Sequence, residues 1–330
     1  MQIQSVLSVS PLRISFVGGG TDFESYYSNN GGAIVSAGIN KYVYVHVKRH
    51  DSLFQEQYRI SYSEIEHCDS RQDIKNGVVR GCLELLGIDT PLQISTSADL
   101  PANSGLGSSS SFACALLLAL HKLNGESVSA AQIAEEACQV EIDILKSPIG
   151  KQDQYAAAFG GLNYFNIDQT GKFRIESMYS PNLSARKFFD SLILIWTGRG
   201  REANIVLADQ EQRHEMNLVN LNQIQLLAHR FREEFLNPNM QLQNLGSIIT
   251  QGWDLKKNLS PLIQTAEVME IESVLLSQKT LGFKLLGAGG GGFVLGVMQE
   301  LGAETRQQFS KWSTFSPELD HLGTRIISIN

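Results

Sequence analysis

The chain has little with which to staple or anchor itself. Its 330 residues include only four cysteines, Cys68, Cys82, Cys114 and Cys138. None forms a C-x-x-C pair and no Cys/His set has zinc spacing, which excludes a zinc ribbon or a thioredoxin-type redox motif. The four read as reduced, mostly buried thiols of a cytosolic protein. Long apolar runs are missing too: the stretch from Phe112 to Leu120 falls far short of the roughly 20 residues a bilayer requires. Met1 to Arg13 has neither the basic head nor the apolar middle of a secretion signal. A cytoplasmic location with no membrane partner is the expectation. Nor is there an excess of positive charge. The net charge of -7 argues against nucleic acid as a partner, although a local cluster of Arg and Lys can still hold a phosphate. There are no internal repeats and no low-complexity tracts.

What is present is the composition of a folded protein, with 42% apolar and 18% charged residues. That mix builds real cores, and the length suits two domains. Patterning predicts strands over 3–17, 33–47, 59–63, 91–98, 162–167, 173–178, 192–196, 283–286 and 293–297. It predicts helices over 73–86, 112–123, 130–145, 201–236, 245–259 and 261–276. The mixed order gives an α+β fold rather than a doubly wound parallel sheet. A boundary near 181–190 divides it into residues 1–185 and 186–330.

Four segments carry chemistry. Pro101-Ala-Asn-Ser-Gly-Leu-Gly-Ser-Ser-Ser-Ser111 leads into a helix. Its glycines let backbone N–H groups approach an anion, the helix start offers unpaired donors and a positive dipole end, and the serines add hydroxyls. It is a phosphate cradle in chemical terms, but no Gly-Lys-Ser/Thr closes it as in a Walker A loop; a serine-rich helix cap without a ligand is the alternative. Gly287-Ala-Gly-Gly-Gly-Gly292 places five glycines in six residues between two apolar strands. That is more than a hairpin needs and suits a loop that must hug another loop or a ligand. Glu141-Ile-Asp143 and Gly150-Lys-Gln-Asp153 offer carboxylates able to ligate Mg²⁺ or to act as a base, against the plainer reading of a solvated helix face and a turn aspartate. In Pro11-Leu-Arg-Ile-Ser-Phe-Val-Gly-Gly-Gly-Thr-Asp-Phe23, Arg13 sits in an apolar strand and wants an anionic partner, and Asp22 can accept hydrogen bonds from a polyol.

In chain order Pro11–Phe23, Pro101–Ser111 and Gly287–Gly292 resemble the three motifs of the GHMP kinases, the superfamily of galactokinase, homoserine kinase and mevalonate kinase, and the resemblance covers nearly the whole chain. It implies an N-terminal domain like ribosomal protein S5 domain 2 and a ferredoxin-like C-terminal domain. It implies ATP and Mg²⁺ as cofactors, with Pro101, Ser104, Gly105, Leu106, Gly107, Ser108, Ser109 and Ser110 around the nucleotide phosphates. Glu141 matches the family's magnesium carboxylate, joined by Ser109 (or Ser108). Asp153 matches the aspartate that faces the acceptor hydroxyl and Arg13 the basic residue paired with it. The substrate side is assigned to Gly20, Thr21, Asp22, Arg201, Gly289 and Gly290. Pro11–Phe23, the Gly-Leu-Gly-Ser-Ser-Ser-Ser run and Lys146-Ser-Pro-Ile-Gly-Lys-Gln-Asp-Gln-Tyr155 look like the D-glycero-D-manno-heptose 7-phosphate kinases; L-fucokinases share part of the pattern. One departure is Trp196-Thr-Gly-Arg-Gly-Arg201 where Tyr-Thr-Gly-x-x-Arg is the rule: Arg201 is kept and Arg199 is extra.

The implied reaction moves the ATP γ-phosphoryl to the anomeric hydroxyl of a sugar or sugar phosphate. From charge and placement, Arg201 and Lys256-Lys257 near Trp253 are candidates for a distal phosphate, against the plainer reading of a solvated helix face. A homodimer is compatible with this. A binding protein that has lost catalysis would show damage at Arg13, Glu141 or Asp153, and all three are intact. A dehydrogenase is excluded because no helix-opening G-x-G-x-x-G follows the first strand.

Overall fold

The first strand, β1 (Ser5–Val17), is buried along almost its whole length. Helices cover both of its faces, which is why its sequence alternates only loosely. It pairs antiparallel with β2 (Gly32–Arg49), and Arg13 stands opposite Gly38 in that ladder. The structure is a computed structural model describing residues 3–51, 53–178, 183–200 and 203–330.

The chain continues through β3 (Tyr58–Ser61), β4 (Ile65–Cys68), β5 (Leu92–Ala98), β6 (Leu162–Ile167), β7 (Phe173–Ser177), β8 (Leu192–Trp196), β9 (Thr280–Leu285), β10 (Phe293–Met298), β11 (Thr314–Phe315) and β12 (Arg325–Ile329). Two sheets result. The larger runs β12-β1-β2-β5-β3-β4, and β6 extends from β2 to β7; the smaller runs β11-β8-β10-β9. Among the described residues only β3 and β5 run parallel. The long β2 is shared: its first part pairs with β6 and its second part with β5. The expected α+β class is what is seen.

Strands β1 to β7 lie in the larger sheet and β8 to β11 in the smaller. β12 returns to the first sheet and pairs with β1 from Val6 to Val9. Two helix predictions change. Residues 130–145 form an α-helix, Ala130–Cys138, capped by Ser129, and then a wider π-type turn, Gln139–Ile144. Residues from 203 form two helices, Ala203–Gln212 and His214–Leu236. The helix predicted from Phe112 starts at Ser108, so its serines are its first turn. Helices Glu24–Asn30, Gln152–Phe159, Leu183–Asp190 and Ala303–Gln308, and strands β4, β11 and β12, were not in the pattern reading.

Helix Ser108–Leu123 lies on β1 and β2, with Ala130–Cys138 and Gln152–Phe159 beside it. Helices His214–Leu236 and Leu242–Lys257 bridge from this sheet to β9. Phe16 stacks on Phe231 with ring centroids 5.6 Å apart and tilts against Phe188 at 5.2 Å. This aromatic cluster seals β1 to the helical layer, each such pair contributing about 0.5–1.5 kcal/mol beyond burial.

His121, buried near the end of helix Ser108–Leu123, has a carboxylate at each ring nitrogen: Glu126 2.5 Å from Nδ1 and Glu136 2.7 Å from Nε2. The hydrogen bond to Glu136 leads in raising its pKa above the ordinary 6.5, against the effect of burial. A histidine raised on folding stabilises the native state fully below its unfolded value and loses that contribution as pH rises through the folded value. Thermal stability is therefore expected to decline from about pH 6.5 upward. His121→Gln should flatten that decline in a pH series of melting curves; an unchanged slope would remove His121 as its source.

Candidate active site

Gly107 takes a left-handed conformation (φ 75°) and turns the chain directly into helix Ser108–Leu123. The N-terminus of that helix opens onto a cavity of about 520 Å³. Gly105, Gly107, Ser108, Ser109 and Ser110 line it; Pro101, Ser104 and Leu106 do not. Pro101 is exposed, whereas Ser104 and Leu106 are fully buried beneath the loop. Their carbonyls tie it down: Leu106 O accepts from Arg13 N at 2.9 Å and Ser104 O from Phe293 N at 3.1 Å.

Arg13 and Asp153, 140 positions apart, meet on the cavity wall. Arg13 Nε donates to Asp153 Oδ1 and Nη2 to Oδ2, both at 2.7 Å, and Nη1 donates to Gly105 O at 2.7 Å. The guanidinium fork is thus held by a carboxylate and the phosphate loop at once. A Cβ added to Gly107 would lie 3.4 Å from Asp153 Oδ2, which sets the carboxylate beside the helix start.

Asp22 is buried at the same cavity. It accepts from the N–H of Gly20 (3.0 Å) and Gln152 (3.1 Å) and from Gln152 Nε2 (3.3 Å), while Ser15 Oγ donates to Gln152 Oε1. The turn carrying Gln152 presses so closely on Asp22 that a Cβ on Gly150 would fall 2.0 Å from its Oδ2. Burial, opposed by the Gln152 N–H and reinforced by the nearby Asp153 charge, pushes Asp22 up to about 6. Gly20 lines the cavity. Thr21 is an internal staple, its hydroxyl donating to Gly18 O and accepting from Ala33 N.

Glu141, on the π-type turn, is only 2% exposed and lines the cavity. Ser109 and Ser110 hydroxyls donate to it at 2.6 Å and Gln154 Nε2 at 2.7 Å. Burial raises its pKa, opposed by these three donors. All three donors are neutral, and among the described residues no ion pair compensates the carboxylate. The π-type turn matters because its wider ring shifts the helix face, a device found at functional sites.

The glycine-rich segment backs onto the phosphate loop. A Cβ on Gly287 would come 2.5 Å from Gly105 Cα, and one on Gly292 would come 2.6 Å from Ser104 O. Gly287 lines the cavity, but Gly289 packs on Ile263 and Gly290 N donates to Ile263 O, away from the cavity. Arg201 lies outside the described residues; Arg199 pairs with Glu267 at the surface, 3.0 Å apart. Pattern reading missed Gln152, Gln154 and Lys284. Lys284, buried in β9, donates to Ser15 O (2.8 Å) and Phe16 O (2.9 Å) and joins the two sheets. Burial holds its pKa well below the ordinary value. A lysine in an apolar strand was the available signal, the same one that singled out Arg13.

Residues 75–161, which carry the phosphate loop, Glu141 and Asp153, match the family model described as GHMP kinases N terminal domain. That segment is similar to the N-terminal domain of the GHMP kinases. Over 313 residues the chain is 26% identical to a D-glycero-alpha-D-manno-heptose 7-phosphate kinase of Campylobacter jejuni, spanning 88% of this chain and 89% of that one. It is 25% identical over 342 residues to an L-fucokinase/L-fucose-1-P guanylyltransferase of Bacteroides fragilis, covering 92% of this chain and 35% of that longer protein. A solved D-glycero-D-manno-heptose 1-phosphate kinase from Bacteroides thetaiotaomicron shares the fold with a TM-score of 0.78 at 21% identity, over 98% of this chain and 99% of that one. These likenesses are to sugar kinases, and the family match is confined to residues 75–161.

Proposed function

We propose that the chain transfers the γ-phosphoryl group of ATP to the anomeric hydroxyl of D-glycero-D-manno-heptose 7-phosphate, giving the 1,7-bisphosphate. The observation that carries this reading is the Arg13–Asp153 pair, gripped at two points beside a helix N-terminus and sharing one cavity with Asp22.

Catalysis of this kind is positioning plus charge stabilisation. The N–H groups of the first helical turn, at Ser108 to Ser110, hold the nucleotide phosphates. Asp22, oriented by Gln152, accepts from sugar hydroxyls. Each Asp153 oxygen accepts one bond from Arg13 and keeps a lone pair for the acceptor hydroxyl. Asp153 orients that hydroxyl or takes its proton, and Arg13 fixes the carboxylate and faces the developing charge.

Glu141 and Ser109 present the hard oxygen donors that Mg²⁺ prefers, and a buried carboxylate without an ion pair fits a divalent cation. When bound there, Mg²⁺ neutralises phosphate charge. Among the described residues no cluster of three or more acidic, His or Cys side chains forms a metal cage.

The likeness to an L-fucokinase favours a second reading, in which the acceptor is L-fucose. Turnover of ATP with the heptose 7-phosphate, the unphosphorylated heptose and L-fucose separates the two. Phosphorus NMR of the product identifies the hydroxyl modified. A higher kcat/KM for L-fucose would replace the heptose proposal, and no turnover with any sugar would support a non-catalytic binding protein.

A further inference from the structure

One cation at the cavity has no role in the account above. Lys256 sits near the end of helix Leu242–Lys257, which fully buried Trp253 anchors through its Nε1 donating to Glu272 at 2.5 Å. Its neighbour Lys257 pairs with Asp254 at 2.8 Å and lies over the Trp253 ring. Lys256 instead lines the cavity and donates to the carbonyl of Gly287. The structure thus separates two lysines that the sequence offered together.

Gly287 is the residue whose backbone meets Gly105, and Gly105 O accepts from Arg13 Nη1. Lys256 and Arg13 therefore grip the contact between the two glycine loops from either side, and both reach the same stretch of cavity wall. Arg13 has a carboxylate partner. Lys256 has none among the described residues, and Gly287 O takes one of the three N–H donors an ammonium carries. Lys284, the third cation lining the cavity, is held by two β1 carbonyls. Among these three cations Lys256 is held by the fewest protein acceptors, one against two for Lys284 and three for Arg13, which leaves it the freest to meet an anionic ligand.

Resting on the kinase reading, we infer that Lys256 is a further catalytic residue, contacting the transferring phosphoryl group from the C-terminal half of the chain. The position of its anchor decides between the two phosphates of the reaction. Gly287 abuts the phosphate loop, so the ammonium is tied to the nucleotide side of the cavity. Burial and Arg13, partly offset by Asp153, lower the Lys256 pKa to about 8, and an arriving phosphate would restore its charge. In the transfer, the bond from the γ-phosphorus to the β,γ-bridging oxygen breaks and a bond to the acceptor oxygen forms. The hydroxyl proton leaves to Asp153 or solvent. Lys256 keeps its own protons and shares the charge on the migrating group.

The test compares wild type, Lys256→Met and Lys256→Arg, each confirmed as folded by circular dichroism and by ATP binding in calorimetry. Steady-state kinetics are taken with the heptose and with its 7-phosphate. Lys256→Met is expected to lower kcat by about 10²-fold with both sugars alike, with KM values little changed and partial recovery in Lys256→Arg. Should Lys256→Met not fold, the Arg variant carries the test through a kcat deficit common to both sugars. A loss confined to KM for the phosphorylated sugar would overturn the inference and make Lys256 the holder of the distal phosphate. Unchanged kcat in folded variants would overturn it outright. Wild-type protein inactive with every sugar would overturn the kinase reading and this inference together, an outcome distinct from the other two.

Discussion

Asp153→Asn is expected to lower kcat by about 10²–10⁴-fold while ATP affinity measured by calorimetry stays near the wild-type value. The amide is nearly isosteric and leaves the phosphate loop untouched, so the loss falls on the step that handles the acceptor hydroxyl. Arg13 then loses one charge-assisted bond, because the amide presents one acceptor oxygen where the carboxylate presents two. Arg13 is only 4% exposed, and an uncompensated buried cation is costly, so the variant should also melt lower. Equal turnover in a folded Asp153→Asn protein would remove Asp153 from the chemistry. A fall in ATP affinity matching the fall in kcat would reassign it to nucleotide binding.

Gly287→Ala is expected to be nearly as damaging, although position 287 carries no chemical group. The residue has φ 71°, and an added methyl would sit 2.5 Å from Gly105 Cα. Backbone meets backbone there, so relief requires moving one loop. Overpacking of this kind costs about 1–3 kcal/mol, and the left-handed conformation adds to it. Moving Gly105 displaces the carbonyl that Arg13 holds at 2.7 Å, and moving Gly287 displaces the carbonyl that anchors Lys256. A displacement near 1 Å at a reacting centre can cost about 10²-fold. The expected result is a reduced melting temperature together with a kcat/KM for ATP lower by about that factor. Wild-type kinetics in Gly287→Ala would show that the two loops can part without consequence.

The parts of the site that sequence exposed were those where a residue type is costly in its setting. A charged Arg13 in an apolar strand demanded a partner, and five glycines between strands demanded a close neighbour. Both demands are met, by Asp153 and by the phosphate loop. The same logic applies to Lys284, flanked by Phe283 and Leu285. What sequence could not expose depends on the path of the chain. Glu141 faces the serines because a helix of ordinary periodicity widens for one turn, and no spacing rule announces that. Gln152 and Gln154 are common polar residues whose importance comes from standing between Asp22 and Ser15, or against Glu141. Lys256 and Lys257 are equivalent on paper, and the packing of Trp253 separates them. Thr21 and Gly290 belong to matching motifs but face protein, the one stapling β2 and the other backing onto Ile263.

The return of β12 to the edge of β1 bears on how the chain can be cut. Ser5 and Asn330 exchange backbone hydrogen bonds, each N–H meeting the other's carbonyl at 3.0 Å, so the two segments are stitched side by side. Cutting the chain at residue 185 would strip β1 of this companion and bare a row of its amides and carbonyls. The strand that carries Arg13 is therefore completed by residues 325–329, and residues 1–185 are not a portable module.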